Sequence, residues 1–435
     1  MHQVVKYGQH STSMGSLVMS LVILFSVLIL IDIYVYKGLM AAFSRSSKNV
    51  RRSTAFLYWL VNVSFIVFEL FIVFNFSPSS MEKSITFKLF AASFIILYTP
   101  KILFALFLLI EDVYRLLRAI VLSVYRLQKK EPIHAKELFQ SRRRFISQTA
   151  TLAAGIPFIS SIYGVTKGKY NFRIHKAKLT FKDLPKEFDG LRITQVSDIH
   201  CGSFGDRSEV LRGVKLANDQ GSDLMLFTGD LVNFRSDEME QWVDVFKEFK
   251  APMGKYSILG NHDYGDYVQW PSEEVKQANL VRLCDFHLKI GFKLLRNENL
   301  KIEKNNQSIE LLGCENWGRG GFSKYGDLVK TMQGTSPDSF KILMSHDPTH
   351  WEEQVMNNPE TINLTLSGHT HGMQFGFEIP GIVRFSPIEF RYKRWAGLYA
   401  ENNRYLYVNR GFGYLGFPGR VGIWPEITVI TLRSA

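Results

Sequence analysis

Three long apolar segments lie in the first quarter of the chain, at residues 16–36, 54–76 and 87–110. An α-helix rises 1.5 Å per residue, so about 20 apolar residues cross a hydrocarbon core of about 30 Å. Each of the three segments is long enough to do so. The pattern therefore predicts three transmembrane helices, and three buried helices of a soluble protein are the alternative interpretation.

Basic residues flank these segments unevenly. They cluster between the first two segments and after the third, whereas the loop between the second and third carries only Glu82 and Lys83. The two clusters consist of Lys37, Arg45, Lys48, Arg51 and Arg52, and of Arg115, Arg118, Arg126, Lys129 and Lys130. Because positive charge is retained on the cytoplasmic side, the N-terminus is predicted to lie outside and residues 111–144 inside.

The net charge of the whole chain is +12, but it is concentrated at the front. Residues 1–147 carry a net +11, whereas residues 148–435 carry only +1. The excess positive charge therefore serves to orient helices in a membrane and does not form a nucleic-acid groove. We expect no nucleic-acid partner.

The apolar segments contain charged residues, among them Asp32, Glu69 and Lys101. Charges inside a membrane are costly and often functional. In the predicted topology Asp32 and Lys101 both lie toward the cytoplasmic side, so they could pair. Snorkelling of Lys101 to the membrane surface explains its position equally well, and the role of the three residues stays open.

Residues 141–146 read Ser-Arg-Arg-Arg-Phe-Ile and precede an uncharged, moderately apolar stretch, 146–165. This arrangement resembles a twin-arginine export signal, although such signals normally open a chain. A basic anchor before a fourth transmembrane helix is a second interpretation, and both place the residues after about 165 outside the cell membrane. An interfacial helix that leaves the following domain in the cytoplasm is a third. The predicted regions are a membrane region at 1–147, this fourth segment at 148–166 and a soluble α/β domain at 167–435.

Five short apolar runs in that domain each end on residues that bind metals. The runs cover residues 191–196, 224–228, 256–259, 341–344 and 364–366, and they are typical of buried strands. Further strands are predicted at 405–408 and 427–432, and helices at 207–219 and 238–249. Because ligands bind at the carboxyl ends of strands in open α/β sheets, these positions point to one site.

The residues that follow the five runs supply carboxylate, amide and imidazole donors. They are Asp198, His200, Asp230, Asn261, His346, His369 and His371. Seven donors exceed the need of a single ion and suit two metal ions that clamp a phosphoryl group and the attacking oxygen. Such a pair lowers the pKa of a bridging water to give a hydroxide nucleophile, and His262 is placed to act as an acid or an electrostatic partner. Mn²⁺, Fe and Zn²⁺ all fit these donors.

The ordered motifs Asp-x-His, Gly-Asp, Gly-Asn-His-Asp, His and Gly-His-x-His resemble those of the calcineurin-like metallophosphoesterase family, over about residues 170–435. The resemblance is greatest to a bacterial branch that places this domain behind a twin-arginine-type or transmembrane segment, which implies a multi-pass protein of the bacterial cytoplasmic membrane. It also implies a four-layer α/β/β/α sandwich.

The resemblance further implies roles for the donors. One metal would take Asp198, His200, Asp230 and His371. The other would take Asp230, Asn261, His346 and His369. His262 would bind neither metal and would face the phosphate, where it would stabilise or protonate the leaving oxygen.

Departures from the family's protein phosphatases narrow the substrate. Those enzymes carry Gly-Asp-x-x-Asp-Arg-Gly and Gly-Asn-His-Glu, which residues 229–235 and 260–263 do not match. We therefore expect a phosphomonoester or phosphodiester that is small or lipid-linked. A non-catalytic membrane sensor with a metal-stabilised domain and a nuclease are the alternatives.

Three further features carry less weight. Arg319, in a glycine-rich loop, is the candidate substrate-binding residue, and a plain surface turn is the alternative. The pattern Gly-x-Gly-x-x-Gly at 411–416 is followed by too few residues to form a dinucleotide-binding unit. The three cysteines, Cys201, Cys284 and Cys314, form no C-x-x-C pair and make a disulfide scaffold unexpected.

Overall fold

The computed structural model describes residues 14–75, 85–129, 136–379 and 382–435. They form two compact units. The first falls within residues 1–76 and 93–159 and is helical, whereas the second falls within residues 77–92 and 160–435 and holds the β-sheets. Glu82, Lys83 and Lys130, which entered the topology prediction, lie outside the described residues.

Four long helices open the chain. They are α1 (Met14–Ala42), α2 (Lys48–Asn75), α3 (Ile85–Lys129) and α4 (Lys136–Thr166). Each contains a stretch long and apolar enough to cross a membrane, at Val22–Ala42, Lys48–Ile72, Lys88–Ser123 and Arg143–Thr166. The first three helices correspond to the predicted segments, of which residue 76 lies outside the described residues, and the fourth contains the moderately apolar stretch 146–165.

A buried polar cluster lies among the helices of the first unit. The ammonium group of Lys101 is 2.7 Å from a carboxylate oxygen of Asp32, and it also donates to the side-chain oxygen of Asn62. The Tyr98 hydroxyl donates to the other Asp32 oxygen at 3.2 Å, and its ring centroid lies 4.1 Å from the Lys101 nitrogen. Glu69 is buried nearby, and its Oε2 has no hydrogen-bond partner among the described residues. The predicted Asp32–Lys101 pairing is therefore present in the structure.

Breaking this pair from one side should destabilise the helical unit. In Lys101→Met the Asp32 carboxylate stays buried without its cation, which costs about 3 kcal/mol for a buried ion pair. We expect the double substitution Asp32→Asn with Lys101→Met to lose less, because it leaves no uncompensated charge. Thermal unfolding of the detergent-solubilised chain, of the single variants Asp32→Asn and Lys101→Met and of the double variant measures the coupling. Equal losses in the single Lys101→Met variant and the double variant would argue against an energetic pairing.

The second unit contains fourteen strands among its described residues. In chain order they are β1 (Arg173–Phe181), β2 (Arg192–Val196), β3 (Leu224–Phe227), β4 (Lys255–Ser257), β5 (Lys293–Leu294), β6 (Glu298–Lys304), β7 (Gln307–Gly313), β8 (Lys341–Met344), β9 (Leu364–Ser367), β10 (Phe377–Ile379), β11 (Val383–Phe385), β12 (Gly397–Glu401), β13 (Arg404–Val408) and β14 (Glu426–Ser434). The helices of this unit are α5 (Arg207–Asn218), α6 (Val243–Phe246), α7 (Glu273–Lys289) and α8 (Leu328–Thr331).

The strands form two six-stranded sheets and one hairpin. The first sheet has the order β1-β14-β2-β3-β4-β5, with β2 to β5 mutually parallel. The second has the order β12-β13-β9-β8-β7-β6, with β13, β9, β8 and β7 mutually parallel. Strands β10 and β11 pair with each other in an antiparallel hairpin.

The two sheets pack face to face around one apolar core. Ile193 and Leu226 of the first sheet share this core with Ile342 and Leu366 of the second. The opposite face of the first sheet packs against α5 and α7 in a second core. The opposite face of the second sheet packs against α8 and a π-helical turn, Trp351–Val355, in a third. These layers confirm the predicted α/β/β/α sandwich.

The sequence predicted the five strands that lead to the site, but it did not predict strands β1, β5, β6, β7, β10, β11 and β12. The predicted helix 238–249 is wrong: the segment folds as a 3-10 turn, Ser236–Met239, followed by the short α6. The Glu238 carboxylate accepts hydrogen bonds from the backbone N–H groups of residues 233, 234 and 235, which closes a tight turn instead of a long helix. Helix α7 was not predicted, although its capping residue Ser272 and the acidic first turn are sequence signals for a helix start.

Candidate metal centre

All seven predicted ligands lie in the loops that directly follow five strands. Strands β2, β3 and β4 are neighbours in the first sheet, and β8 and β9 are neighbours in the second. Since these strands are parallel within each sheet, their carboxyl ends lie at one edge, which is where ligands bind in open α/β sheets. The facing sheets bring the two sets of loops together: the backbone N–H of His369 donates to the Asp198 carboxylate at 2.9 Å.

The backbone at these positions is unusual. Five of the seven residues have a positive φ, namely Asp198 (51°), His200 (47°), Asp230 (62°), His369 (73°) and His371 (50°). Left-handed conformations cost non-glycine residues about 1–2 kcal/mol each, and such strain accumulates at functional sites. Here each sharp turn directs a side chain past the end of its strand. The neighbouring glycines permit the close approach, since a Cβ at Gly368 would overlap the side chains of Ser197 and Asp198.

One group of donors consists of Asp198, His200 and His371, whose ligand atoms all lie within 4.8 Å of one another. The Nε2 atom of His371 is 3.2 Å from Oδ1 of Asp198. The rings of His200 and His371 have centroids 4.9 Å apart. These three residues are the predicted ligands of one metal, together with Asp230.

Asp230 connects this group with a second one, formed by Asp198, Asp230 and His346. Its Oδ2 atom is 3.1 Å from Nε2 of His346 and 3.4 Å from Nε2 of His200. These two histidines were assigned to different metals. The Asp230 carboxylate thus has the position expected of a bridging ligand.

Asn261 and His369 lie beside each other at the same edge. The side-chain oxygen of Asn261 is 2.7 Å from Nδ1 of His369. The Nε2 atom of His369 is 2.8 Å from the Tyr392 hydroxyl, and the Asn261 amide donates to the Tyr267 hydroxyl at 2.8 Å. The amide oxygen and the imidazole Nδ1 therefore contact each other, and the binding of a second metal by these two residues stays a prediction.

The donors fit a metal only if their nitrogen atoms are free to bind one. The Nε2 atoms of His200, His346 and His371 are buried and have no hydrogen-bond partner among the described residues. The Nδ1 atoms of His200 and His346 lie 3.1 and 2.7 Å from the carbonyl oxygens of Val232 and Thr228. Such a bond fixes the tautomer that leaves Nε2 unprotonated and free to bind a cation. Buried imidazole nitrogens aimed at carboxylates fit a metal centre well.

The ionisation states of most of the donors also suit a metal. Burial lowers the pKa of His200, His369 and His371, which keeps these imidazoles neutral, the form that binds metals. Burial also acts on His346, but the charge of Asp230 outweighs it and raises the pKa of His346 to about 10, so a metal ion would have to displace a proton from this imidazole. The histidines in turn hold the pKa of Asp198 and of Asp230 below their usual range, against the effect of burial. The carboxylates are thus ionised and available to cations.

His262 lies next to this cluster. Its Nδ1 atom is 2.7 Å from the carbonyl oxygen of Asn233, and its ring centroid is 5.0 Å from that of His200. Its backbone N–H donates to the Asp230 carboxylate at 2.9 Å. Burial lowers the pKa of His262 to about 4. Its position beside the ligands, with Nδ1 occupied by a backbone carbonyl, fits the predicted role of a residue that faces the substrate through Nε2.

Arg319 has a different setting from the seven ligands. Its side chain is 54% exposed and its guanidinium pairs with Glu352 and Glu353. Its backbone N–H donates to the Thr349 hydroxyl at 2.9 Å. These contacts account for the conformation of the loop, and a contact between Arg319 and substrate stays a prediction.

Several residues that contact the proposed ligands or their loops were not predicted from the sequence. The Asp263 carboxylate accepts hydrogen bonds from the backbone N–H groups of Asp230, Leu231, Val232 and Gly260. Asp263 directly follows Asn261 and His262, so the Gly-Asn-His-Asp motif itself carried the signal. The other residues missed were Asp347, with Oδ2 3.4 Å from His369 Nε2, Tyr392, and the buried Arg420, whose guanidinium lies 3.1 Å from Nδ1 of His371.

Comparison with known proteins agrees with this geometry. Residues 191–373 match the family described as calcineurin-like phosphoesterase, and residues 17–169 match a probable calcineurin-like phosphoesterase transmembrane domain. The uncharacterized metallophosphoesterase YkuE of Bacillus subtilis is 29% identical over 301 residues, which cover 68% of this chain and 98% of the relative. The match to the transmembrane domain and the four apolar helices make this chain a membrane protein.

Two relatives carry names that state an activity. The phosphodiesterase YaeI of Escherichia coli is 28% identical over 304 residues, which cover 67% of this chain and 99% of YaeI. The UDP-2,3-diacylglucosamine pyrophosphatase LpxG of Chlamydia muridarum is 24% identical over 286 residues, which cover 54% of this chain and 83% of LpxG. Together with the family matches, they confirm the predicted resemblance: the chain carries a metallophosphoesterase domain of the calcineurin-like family.

Proposed function

We propose that the chain is a metal-dependent hydrolase that cleaves a small or lipid-linked phosphomonoester or phosphodiester at the membrane. The observation that carries this proposal is a set of three buried imidazole nitrogens that make no hydrogen bond among the described residues and lie 3.1 to 3.4 Å from carboxylate oxygens of Asp198 and Asp230. A purely structural polar cluster would satisfy these atoms within the protein. Atoms left free at the carboxyl edge of two sheets are suited to cations and to a substrate.

The proposed ligands divide between two metal ions. Asp198, His200 and His371 would hold one, Asn261, His346 and His369 would hold the other, and Asp230 would be shared. When bound, such ions supply Lewis-acid stabilisation of a phosphoryl group and activate water at neutral pH. The mixed carboxylate, amide and imidazole donors are compatible with Mn²⁺, Fe or Zn²⁺.

In this proposal His262 donates a proton or a hydrogen bond to the leaving oxygen. Because Nδ1 donates to the Asn233 carbonyl, the nitrogen that faces substrate is Nε2. The bond fixes the ring, and the negative charge of a bound phosphate favours the protonated imidazole. Nε2–H would then donate to the oxygen on which negative charge develops.

Removal of this group should matter most for poor leaving groups. In His262→Ala we expect kcat to fall by about 10²–10⁴-fold for a phenyl or alkyl phosphate ester. The loss should be much smaller for a p-nitrophenyl ester, whose leaving oxygen needs no proton. The measurement is kcat for the two esters, with His175→Ala on β1 as the control. The same loss for both leaving groups would refute a role in proton donation.

Four observations support a small or lipid-linked phosphoester as the substrate. The motifs depart from those of the protein phosphatases, and residues 148–435 carry a net charge of only +1, which disfavours nucleic acid. The chain also carries four apolar helices that would hold the domain at a membrane. The name of LpxG specifies a diphosphate that carries acyl groups, and the name of YaeI specifies a phosphodiester.

We further propose that the protein lies in a bacterial cytoplasmic membrane with its catalytic domain, residues 167–435, outside. The basic clusters after α1 and after the apolar part of α3 support this orientation. The described residues 85–92 and 160–435 (apart from 380 and 381) belong to one compact unit, and two proposed crossings, α3 and α4, separate the two segments along the chain. An even number of crossings keeps both on the same side. A reporter that is active only outside the cytoplasm, fused after residue 435, tests the orientation.

Metal-dependent turnover is the direct test of the activity. The purified full-length chain, loaded in turn with Mn²⁺, Fe²⁺ and Zn²⁺, would be assayed with p-nitrophenyl phosphate, bis-p-nitrophenyl phosphate, lipid phosphates and single-stranded DNA. Cleavage of an aryl or lipid ester that chelation abolishes is the expected result. Metal binding without any turnover would favour a sensor, and cleavage of DNA alone would favour a nuclease.

A further inference from the structure

A cluster of exposed apolar side chains surrounds the β10–β11 hairpin. Six of the fourteen exposed large apolar side chains among the described residues after 166 fall within this short stretch. We call them the hairpin patch: Met373, Phe377, Ile379, Ile382, Val383 and Phe390. Ile382 is 80% exposed and Phe390 is 87% exposed. Apolar side chains gathered in this way mark an interaction surface, whereas isolated ones are ordinary.

The base of the hairpin is bonded to the segment that receives the end of α4. The backbone N–H of Arg420 donates to the carbonyl of Gly164, in the last turn of α4, at 3.2 Å. The next residue, Val421, bridges to Phe375 and accepts a hydrogen bond from Gly376 at 2.9 Å. The base of the hairpin is thus bonded to residues 420–421, the segment that also bonds to the last turn of α4, an apolar helix long enough to cross a membrane.

The same hairpin lies between two residues of the metal centre along the chain. His371, a proposed ligand, comes two residues before Met373, which begins the patch. Tyr392, whose hydroxyl is 2.8 Å from His369 Nε2, comes two residues after Phe390, which ends it. Any surface that binds the patch therefore lies beside the metal centre.

The charges at the edge of the patch favour a lipid surface. Arg391 and Lys393 are exposed immediately after Phe390 and Glu389 is exposed directly before it, so the balance of charge at these positions is positive. The Arg391 guanidinium lies 5.2 Å from the ring centroid of Phe322, and that ring is 4.8 Å from the His369 ring. Apolar side chains next to exposed cations match the boundary between acyl chains and anionic headgroups.

We propose that the hairpin patch inserts into the interface of the bilayer that α4 crosses, and that it holds the metal centre close to the lipid phosphates. The continuity with α4 identifies this occupant, because the bilayer is present wherever the chain is. If the proposed hydrolase function holds, an amphiphile drawn from that bilayer is a better substrate than a water-soluble ester of the same chemistry.

A depth measurement tests the docking independently of any activity. A nitroxide would be attached at Ile382→Cys in full-length protein with Cys284→Ser, in vesicles of phosphatidylethanolamine and phosphatidylglycerol. Cys201 and Cys314 are buried and would not be labelled. Val329→Cys is the matched control, since Val329 is 83% exposed and lies on α8. We expect the label at 382 to be at least tenfold less accessible than the control to a water-soluble relaxant, and more accessible to oxygen.

Equal accessibility at the two positions would overturn the proposal. Spin–spin broadening at position 382, with no increase in oxygen accessibility, would overturn it in favour of a second copy of the chain. The second arm compares bis-p-nitrophenyl phosphate with p-nitrophenyl hexadecyl phosphate in the same vesicles. We expect Ile382→Asp with Phe390→Asp to lower kcat/KM at least tenfold for the hexadecyl ester alone, and Val329→Asp to change neither.

An equal loss for both esters would refute the amphiphile preference. If the unsubstituted protein cleaves neither ester while the label at 382 is buried in lipid, the hydrolase proposal fails and the docking surface stands.

Discussion

Asp230→Asn should lower kcat by at least about 10³-fold, equivalent to about 4 kcal/mol of transition-state stabilisation. One carboxylate oxygen of Asp230 lies within 3.4 Å of imidazoles that belong to both halves of the centre. The other accepts the backbone N–H of His262. An asparagine retains the shape but loses the charge and presents one amide nitrogen, which cannot bind a cation. Both proposed metals should be weakened by the single substitution.

Two measurements distinguish this effect from misfolding. Metal content of the purified variant should fall, and turnover of an aryl phosphate should fall with it, while the thermal unfolding of the metal-free protein changes little. Asp244→Asn, at a carboxylate that is 69% exposed, is the control and should retain full turnover. Asn261→Ala should also lose activity. Turnover retained in both Asp230→Asn and Asn261→Ala would refute the proposed ligand set.

The positions of the ligands could be predicted because they depend on local sequence. Short apolar runs form strands, and a turn directly after a strand places its side chain at the edge of a sheet. For this reason Asp198, Asp230 and His346 were found from motif and spacing alone, and the structure brings them together. The α/β/β/α order followed from the family that these motifs resemble, since the sequence pattern alone does not reveal which strands share a sheet.

Other features depend on contacts between distant parts of the chain. Tyr392 contacts His369 across 23 residues, and Arg420 contacts His371 across 49, and neither belongs to a recognisable motif. The helix predicted at 238–249 was lost to a side-chain interaction, because Glu238 binds three backbone N–H groups of the preceding loop. The exposure of Ile382 and Phe390 could not be read from sequence either, since apolar residues in short strands normally indicate a core.

Asp263 shows how a residue that binds no metal can determine the geometry of the centre. Its carboxylate is fully buried and accepts four backbone hydrogen bonds of 2.8 to 3.3 Å. Three of the donors belong to the loop that follows β3, and the fourth is Gly260 in the loop that follows β4. Asp263 thus joins the loop that carries Asp230 to the loop that carries Asn261.

Asp263→Asn should destabilise the domain and loosen both loops. The amide nitrogen would face N–H donors in place of a carboxylate oxygen, so at least two charge-assisted hydrogen bonds are lost, at about 1.5–3 kcal/mol each. We expect the free energy of unfolding to fall by about 3 kcal/mol or more, and the melting temperature of the catalytic unit to fall by about 6–12 °C. Amide exchange at Asp230, Leu231 and Gly260 should accelerate more than exchange in the strands.

The matched control is Asp285→Asn, at a half-exposed carboxylate that pairs with Lys289 on the surface of α7. Because exposed ion pairs contribute about 0–1 kcal/mol, this variant should unfold close to the unsubstituted protein. Hydrogen exchange unchanged at the two loops, in a variant that still loses activity, would contradict the positioning role. Asp263 would then act on the site through its charge and not through the four backbone bonds.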